Sequence, residues 1–503
     1  MKIIKNGAFN WQNEHSTFSQ PIKDLYDLAN ETTGNGLDIY NDTTKGIQQI
    51  IKDAIQTNTP LRALGGSWSF SPIAATNGII LNTKPLNIRF TVSAESVSPK
   101  YTRDPKYLCM AQCGNRVWEL SKHLHDRGQS LSASGASNGQ TIAGAIATGT
   151  HGAALDFGAI QESVVALHII TGPDSHIWLE RSSYPVMADT FPDKLGATLL
   201  RDDEVFNAAL VGIGAMGFIH GALIEAEDDF LLESYQRRVP YDDALIRQMK
   251  TLDFSNPMLP YPGVRPFHMQ VLINPYDMKN GAYMTAMYKR PYRSDYTPPT
   301  ANAAGIGPGD DAPCFIGKLA GVIPGLVPVM VNKVLAGSLN LHEKQFGRLS
   351  EIFNNTTLHG KLASAAIGLP LPAVEQVVNV LMEMNESAGP FVGLFAFRFV
   401  KSSPATMAFT RFAPVTCVLE LDAVLSPETQ GFYDAVWNKL EQLNIPYTFH
   451  WGKMSTIGPD RLRRMYGNSL DKFLLARSRI IEPAVAKIFS NNIMKQWGID
   501  QLA

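Results

Sequence analysis

The sequence predicts an α+β protein of two units, with a C-terminal segment that rejoins the first. Three observations carry this reading. Before Ala153, stretches of helical period twice run into long loops of glycine, serine and alanine. From about Asp229 to Asn444 the texture changes to strands of aromatic and β-branched residues separated by proline-rich loops. After Pro446 mixed polar and glycine character returns, and helices follow to the end. These shifts divide the chain at 1–228, 229–445 and 446–503.

The elements follow in order. Gly46 to Thr57 (GIQQIIKDAIQT) has helical spacing, and LRALGGSWSFSP from Leu61 reads as a short strand entering a small-residue loop. VWELSKHLHDRGQSL from Val117 reads as a helix closed near Gly128, followed by the small-residue segment SASGASNGQTIAGAIATGTHGAA. SVVALHIITG and HIWLE read as paired strands joined at Gly172, Pro173 and Asp174. EVFNAALVGI is a helix, and GAMGFIHGALIEAE is a glycine turn and a strand. Thr297 to Pro313 is the clearest flexible stretch, and no internal repeat is visible.

Composition excludes several classes. A chain of 503 residues holds more than one core at roughly 100–200 residues per domain. With 44 basic and 46 acidic side chains and no basic block, no nucleic-acid partner is expected. Cys109, Cys113, Cys314 and Cys417 lack paired CxxC spacing, so no metal site and reduced structural thiols are expected. Residues 1–20 contain no apolar leader core, which points to the cytoplasm. The apolar stretch Phe315–Gly337 carries Lys318, Pro324, Pro328 and Lys333, and closely spaced prolines interrupt a spanning helix. No transmembrane segment is expected. The stretch must pack inside, line a pocket, or touch a partner or membrane surface, so peripheral membrane contact stays open.

Small residues let backbone amides approach a pyrophosphate, and successive amides in a turn form an anion nest. Gly65, Gly66, Ser67 and Ser69 supply one such loop and Gly139 to Gly152 a longer track, which together point to a dinucleotide between them. GIGAMG, with Gly212, Gly214 and Gly217, matches GxGxxG, but a helix precedes it and a strand follows. It reads as a packing turn. His123 and His125 lie two apart on a helix and so on different faces, which suits solvated residues better than a metal pair. In HWGK, Lys453 is a candidate buried cation. Alternation along FVGLFAFRFV puts Ala396 with Arg398, opposite Phe395, Phe397 and Phe399. In TCVLELDAV it groups Val418, Glu420 and Asp422, either on a solvated sheet face or in a pocket.

LRALGGSWSFSP, GQTIAGAIATGTHG, GIGAMGF and a late HWGK, in that order, resemble the vanillyl-alcohol-oxidase (PCMH) type of FAD flavoprotein. Within it the resemblance is to the sugar-1,4-lactone (gulonolactone-type) and alditol oxidase branch. It covers the chain to about Ala226 and again from about Pro446. The resemblance implies a two-subdomain FAD-binding domain and a substrate (cap) domain with an antiparallel sheet and flanking helices. FAD would lie against Gly65, Gly66, Ser67, Trp68, Ser69 and Phe70 in the first loop. In the second track it would meet Gln140, Thr141, Gly144 and Thr148, then Gly149, Thr150, His151 and Gly152. Gly217 and Ile219 would lie near the adenine, and His450 and Lys453 near the flavin ring. Thr141 stands where alditol oxidases place a hydroxyl beside the substrate.

Two departures matter. Many members carry a histidine in the first loop that bonds the flavin, and Trp68 stands there, so non-covalent FAD is expected. The family's Glu-x-Arg pair is here Ala396, Phe397, Arg398. The resemblance then implies hydride transfer from a CH–OH group of a small-molecule substrate to flavin N5, with dioxygen or another electron acceptor closing the cycle. That chemistry needs a base and fixed cations. Glu420 is the candidate base, and Arg398 and Lys453 are the cations. FIGKLAGVIPGLVPVMV, SAAIGLPLPAV and FVGLFAF suggest a rather apolar substrate. Three alternatives stay open: a sugar-lactone or alditol oxidase proper, oxidation of a C–N or C–C bond in a secondary metabolite, and a flavin binder without turnover.

Overall fold

The computed structural model describes residues 1–299, 327–339, 341–354 and 362–503. Most of the stretch expected to be flexible, Cys314 and the first part of Phe315–Gly337 lie outside the described residues.

Helix α1 (Gly36–Gln56) starts ten residues before the expected Gly46, capped by Asn35, whose side chain accepts from Asp38 N. Its buried stripe continues through Tyr40, Thr43 and Thr44, whose polar atoms hid the period in the sequence. It lies over a four-stranded sheet of Lys2–Lys5, Asp24–Ala29, Ile79–Asn82 and Leu61–Leu64, in that spatial order. Ile47, Ile51, Leu61 and Leu81 share this core with Ile481, Val485 and Phe489 of the C-terminal segment.

A second sheet orders Thr198–Arg201, His176–Glu180, Val164–Ile170, Phe218–Glu225, Leu108–Gln112 and Arg89–Thr91. It contains the expected hairpin, with Leu167 opposite Leu179, and the strand that follows the Gly212–Gly217 turn. A helix, Asp203–Leu210, does precede that turn. The long small-residue segment is not all loop. It contains α2 (Ile142–Thr148), closed by Gly149 at φ 75°. Glycine inside IAGAIAT weakens the helical signal, and burial of Ile142, Ala145 and Ile146 supplies what propensity lacks.

The third sheet is antiparallel and has eight strands. His342–Gly347, Phe230–Val239 and Ala282–Pro291 lead to four long strands that carry the site. These are β1 (His268–Ile273), β2 (Leu362–Pro370), β3 (Phe395–Lys401) and β4 (Val415–Val424). Their spatial order is β1, β3, β4, β2, and β2 then pairs with β5 (Thr448–Phe449). On one face Phe395 joins Phe391 and Phe432 in the core beneath α3 (Val374–Ser387) and α4 (Pro427–Gln442). The other face turns to the first unit. Helix α5 (Asn468–Ile480) returns to that unit, where buried Arg477 donates to Ala215 O at 3.0 Å and Ile499 O at 2.8 Å. Among the described residues no helix is long and apolar enough to cross a membrane.

His125 is not the solvated residue its spacing suggested. Its Nδ1 lies 3.2 Å from Ser350 Oγ, and burial, then Arg348, pushes its pKa down to about 4.

Buried histidines give the fold a pH dependence. Gln112 and Thr44 flank the two ring nitrogens of His220 at 3.0 and 3.1 Å, and Tyr40 stacks on that ring. His168 Nδ1 meets the Tyr40 hydroxyl at 2.8 Å. Burial, then His176, pushes His220 down to about 3, and burial and neighbouring histidines hold His168 well below its usual range. The unfolded chain binds protons on these imidazoles near pH 6.5 and the folded chain does not, so stability rises with pH between about 3 and 6.5. Each such histidine contributes a slope of about 1.4 kcal/mol per pH unit in that window. Denaturant unfolding at pH 5 and pH 7 should therefore differ by several kcal/mol, and His220→Gln should flatten the dependence. A wild-type midpoint equal at both pH values would contradict this.

Candidate active site

One cleft between the first unit and the third sheet gathers most of the expected residues. Gly65, Gly66, Ser67, Trp68, Ser69 and Phe70 line it from the first loop. Gln140, Thr141, Gly144, Thr148, Thr150 and His151 line it from the second track. The two tracks touch: a Cβ on Gly65 would strike Thr141, and one on Gly139 would strike the Trp68 indole. Ser67 holds φ 63°, a region that residues with side chains rarely adopt. The late turn closes on the same loop, with Phe70 N donating to Gly452 O at 2.8 Å and Ser71 Oγ to Trp451 O at 2.6 Å. His450, Gly452 and Lys453 thereby line the cleft.

Gly149, Gly152, Gly217 and Ile219 are not among the lining residues. Gly149 closes α2, and Gly217, at φ 90°, packs against Ile170 O. From the GIGAMG turn it is Ile213 and Gly214 that reach the cleft, held by Arg62, which donates to Gly214 O at 2.9 Å and Ile213 O at 3.1 Å. Sequence reasoning missed Arg62, Trp11 and His15. His15 arrives on an N-terminal hairpin pinned to the first loop, where Glu14 N donates to Ser67 O at 3.1 Å and Asn13 Nδ2 to Ser69 O at 3.0 Å. Its ring stacks on Phe70 at 4.0 Å and meets Trp68 edge-on at 5.8 Å. Nothing in residues 1–20 marks this docking except an isolated tryptophan and histidine among polar neighbours.

The third sheet contributes the charges. Ala396 lies directly opposite Glu420, and Glu420 opposite Ala366, while Gln270 faces Arg398. The alternation expected for β3 and β4 therefore turns Arg398, Glu420 and Asp422 to the cleft side. Glu420 is 3% exposed, its Oε1 accepts from Arg398 Nη1 at 3.3 Å, and its Oε2 lies 3.2 Å from Nη2 in an ion pair. His151 Nε2 stands 3.6 Å from Glu420 Oε1, with Nδ1 2.9 Å from Gly152 O. This is a buried pocket and not a solvated sheet face. Lys453 Nζ donates to Ser364 Oγ at 2.5 Å and lies 3.7 Å from Asp422 Oδ1. Burial, then His151 and Lys453, holds His450 well below its ordinary range, so its imidazole is neutral. Its Nδ1 accepts from Gly452 N at 2.9 Å, which leaves the proton on Nε2. Burial and then Arg398 push His268 down to about 3.

An apolar cluster lies on the same side of the sheet as Ala396 and Arg398. Phe70, Leu272, Leu362 and Leu394 pack with Val327, Val331 and Leu339, and Ala396 and Met454 border them. The described end of Phe315–Gly337 packs into this cluster through Val327 and Val331. The other two apolar stretches divide by alternation: Phe395, Phe397 and Ile367 join the main core, and Leu394 and Ala396 face the cluster.

The residues fit FAD. Ser67 Oγ, Gln140 Oε1 and Thr141 Oγ1 are buried along the small-residue track with no hydrogen-bond partner among the described residues, although a buried hydroxyl or amide normally has one. Thr141 precedes α2 without capping it, so its hydroxyl is available to a ligand.

Comparisons with known proteins agree. Residues 38–179 match the FAD-binding domain family model. The chain is 26% identical to the D-arabinono-1,4-lactone oxidase of Kluyveromyces lactis, over 40% of this chain and 33% of that one, and so spans about a third of that relative's length. It is 21% identical to the L-gulono-1,4-lactone dehydrogenase of Mycobacterium tuberculosis over 86% of this chain and 90% of that one. Its fold matches cholesterol oxidase from B. sterolicum at a TM-score of 0.69 and 15% identity, covering 99% and 97% of the two chains. With the small-residue tracks and the late turn, these likenesses show an FAD-binding protein that is similar to the sugar-lactone oxidases and shares the fold of cholesterol oxidase.

Proposed function

We propose that the protein is an FAD-dependent oxidoreductase acting on a CH–OH group of a small, rather apolar molecule. The observation that carries this is the buried Arg398–Glu420 pair, set with Lys453 in the wall of the FAD cleft, with an apolar cluster on the same side of the sheet. Bound FAD would supply a two-electron, hydride-accepting group. The chain supplies the rest. Glu420 takes the hydroxyl proton as general base, oriented by its hydrogen bond and ion pair with Arg398. Lys453 is the cation for negative charge developing in the cleft, and His450 Nε2–H is a neutral donor beside it. Burial of Arg398 and Glu420 strengthens their interaction.

Loss of the usual acid at Ala396 leaves an apolar subsite beside a single polar end. A substrate there has one reacting carbinol and an apolar body. A sugar lactone or alditol is the second reading, favoured by the similarity to the lactone dehydrogenase over most of both chains. Anaerobic mixing with a carbinol and its C-deuterated form should bleach the flavin with a primary isotope effect. Bleaching by amines alone would favour C–N chemistry, and no bleaching by any donor would favour a flavin binder without turnover.

The FAD is held without a covalent bond in this reading, because Trp68 cannot form one. Acid precipitation should leave the yellow colour in the supernatant. Colour retained in the pellet would contradict it.

A further inference from the structure

Asp422 is the second carboxylate on the cleft side of β4, and its partners give it a task different from that of Glu420. Ser364 and Asp422 lie directly opposite each other in the β2–β4 ladder. Ser364 is fully buried, and its hydroxyl donates to Asp422 Oδ1 while accepting from Lys453 Nζ at 2.5 Å. The main chain repeats the attachment, since Met454 N donates to Ser364 O at 2.8 Å. One residue of β2 thus holds the end of the HWGK turn by backbone and side chain together. The ammonium also stands 5.4 Å from the centre of the Phe70 ring, which lines the FAD cleft.

A lysine stem has several rotatable bonds, so an ammonium left to itself spreads over many positions. A hydroxyl that is itself committed to a carboxylate presents its lone pairs in one direction, and the carboxylate adds attraction for the charged form. We propose that Ser364 and Asp422 are positioning residues, which fix the charged Lys453 ammonium toward bound FAD and take no part in proton abstraction. The proposal rests on the reading of Lys453 as a cation of this site.

Sulfite binding to the flavin of the holoenzyme, followed by loss of its yellow absorbance, reports positive charge beside the ring without any substrate. Lys453→Met should weaken sulfite binding by about tenfold or more. Ser364→Ala and the isosteric Asp422→Asn should each lose most of that amount with FAD content unchanged, and Ser364→Thr, which keeps the hydroxyl, should stay within about threefold of wild type. Wild-type sulfite affinity in both Ser364→Ala and Asp422→Asn, alongside a loss in Lys453→Met, would overturn the positioning role alone. Wild-type affinity in Lys453→Met would overturn the reading of the lysine as well.

Discussion

Glu420→Gln is expected to slow anaerobic flavin reduction by about 10²–10⁴, the range usual for a positioned general base, while FAD content stays at the wild-type level. Glutamine keeps the shape and an oxygen able to accept from Arg398, so the ordering of the site survives and the capacity to take a proton does not. Asp422→Asn should cost less, because Asp422 is engaged through Ser364 with Lys453. Register supplies a stricter test. Ala396 is the direct cross-strand neighbour of Glu420, so a carboxylate at either position can reach Arg398. The exchange Ala396→Glu with Glu420→Ala should recover a substantial part of the rate lost in Glu420→Ala. Equal, mild losses in Glu420→Gln and Asp422→Asn would remove Glu420 from the mechanism.

Lys453→Ala is expected to cost about 10²–10³ in turnover, the usual effect of losing one oriented electrostatic donor. Its side chain borders the cleft, so the loss should fall on the rate more than on the fold. Arg398→Ala should show a similar loss in rate, but it also leaves the Glu420 carboxylate buried without its guanidinium. Breaking a buried pair from one side typically destabilises by roughly 3–5 kcal/mol. Thermal unfolding of the two variants should therefore differ, with Arg398→Ala the less stable. Wild-type reduction rates in Lys453→Ala would show that the lysine lines the cleft without serving the reaction.

Local chemistry made much of this site legible in the sequence. Glycine and serine tracks announce themselves because close approach permits little else, and period-two alternation sets Arg398 apart from Phe395, Phe397 and Phe399 and groups Glu420 with Asp422. The GIGAMG turn was correctly separated from a dinucleotide fingerprint by the helix before it and the strand after it. What stayed hidden depends on contacts between distant segments. The opposition of Ala396 and Glu420 is a matter of register between strands with no short hairpin to fix it. The docking of His15 and the bonding of Arg62 to the GIGAMG turn leave no local pattern. Helix α2 was read as loop because its small residues serve packing and close approach at once, and α1 was read short because Tyr40, Thr43 and Thr44 bury polar atoms that find partners only in the fold.

The apolar cluster that borders Ala396 bears on which alcohols the cleft accepts. Polyols need a partner for each buried hydroxyl, at a cost of about 1–3 kcal/mol for each one left unmade. Apolar surface contributes about 25 cal/mol per Å² on leaving water for an apolar wall. The decisive measurement is anaerobic flavin reduction at matched concentrations by hydrophobic secondary alcohols of ring or terpenoid type, set against xylitol, sorbitol and aldonolactones. Bleaching by the apolar alcohols and not by the polyols or lactones is the predicted result. Efficient reduction by a polyol or a lactone would contradict it, and would assign the cleft to sugar chemistry.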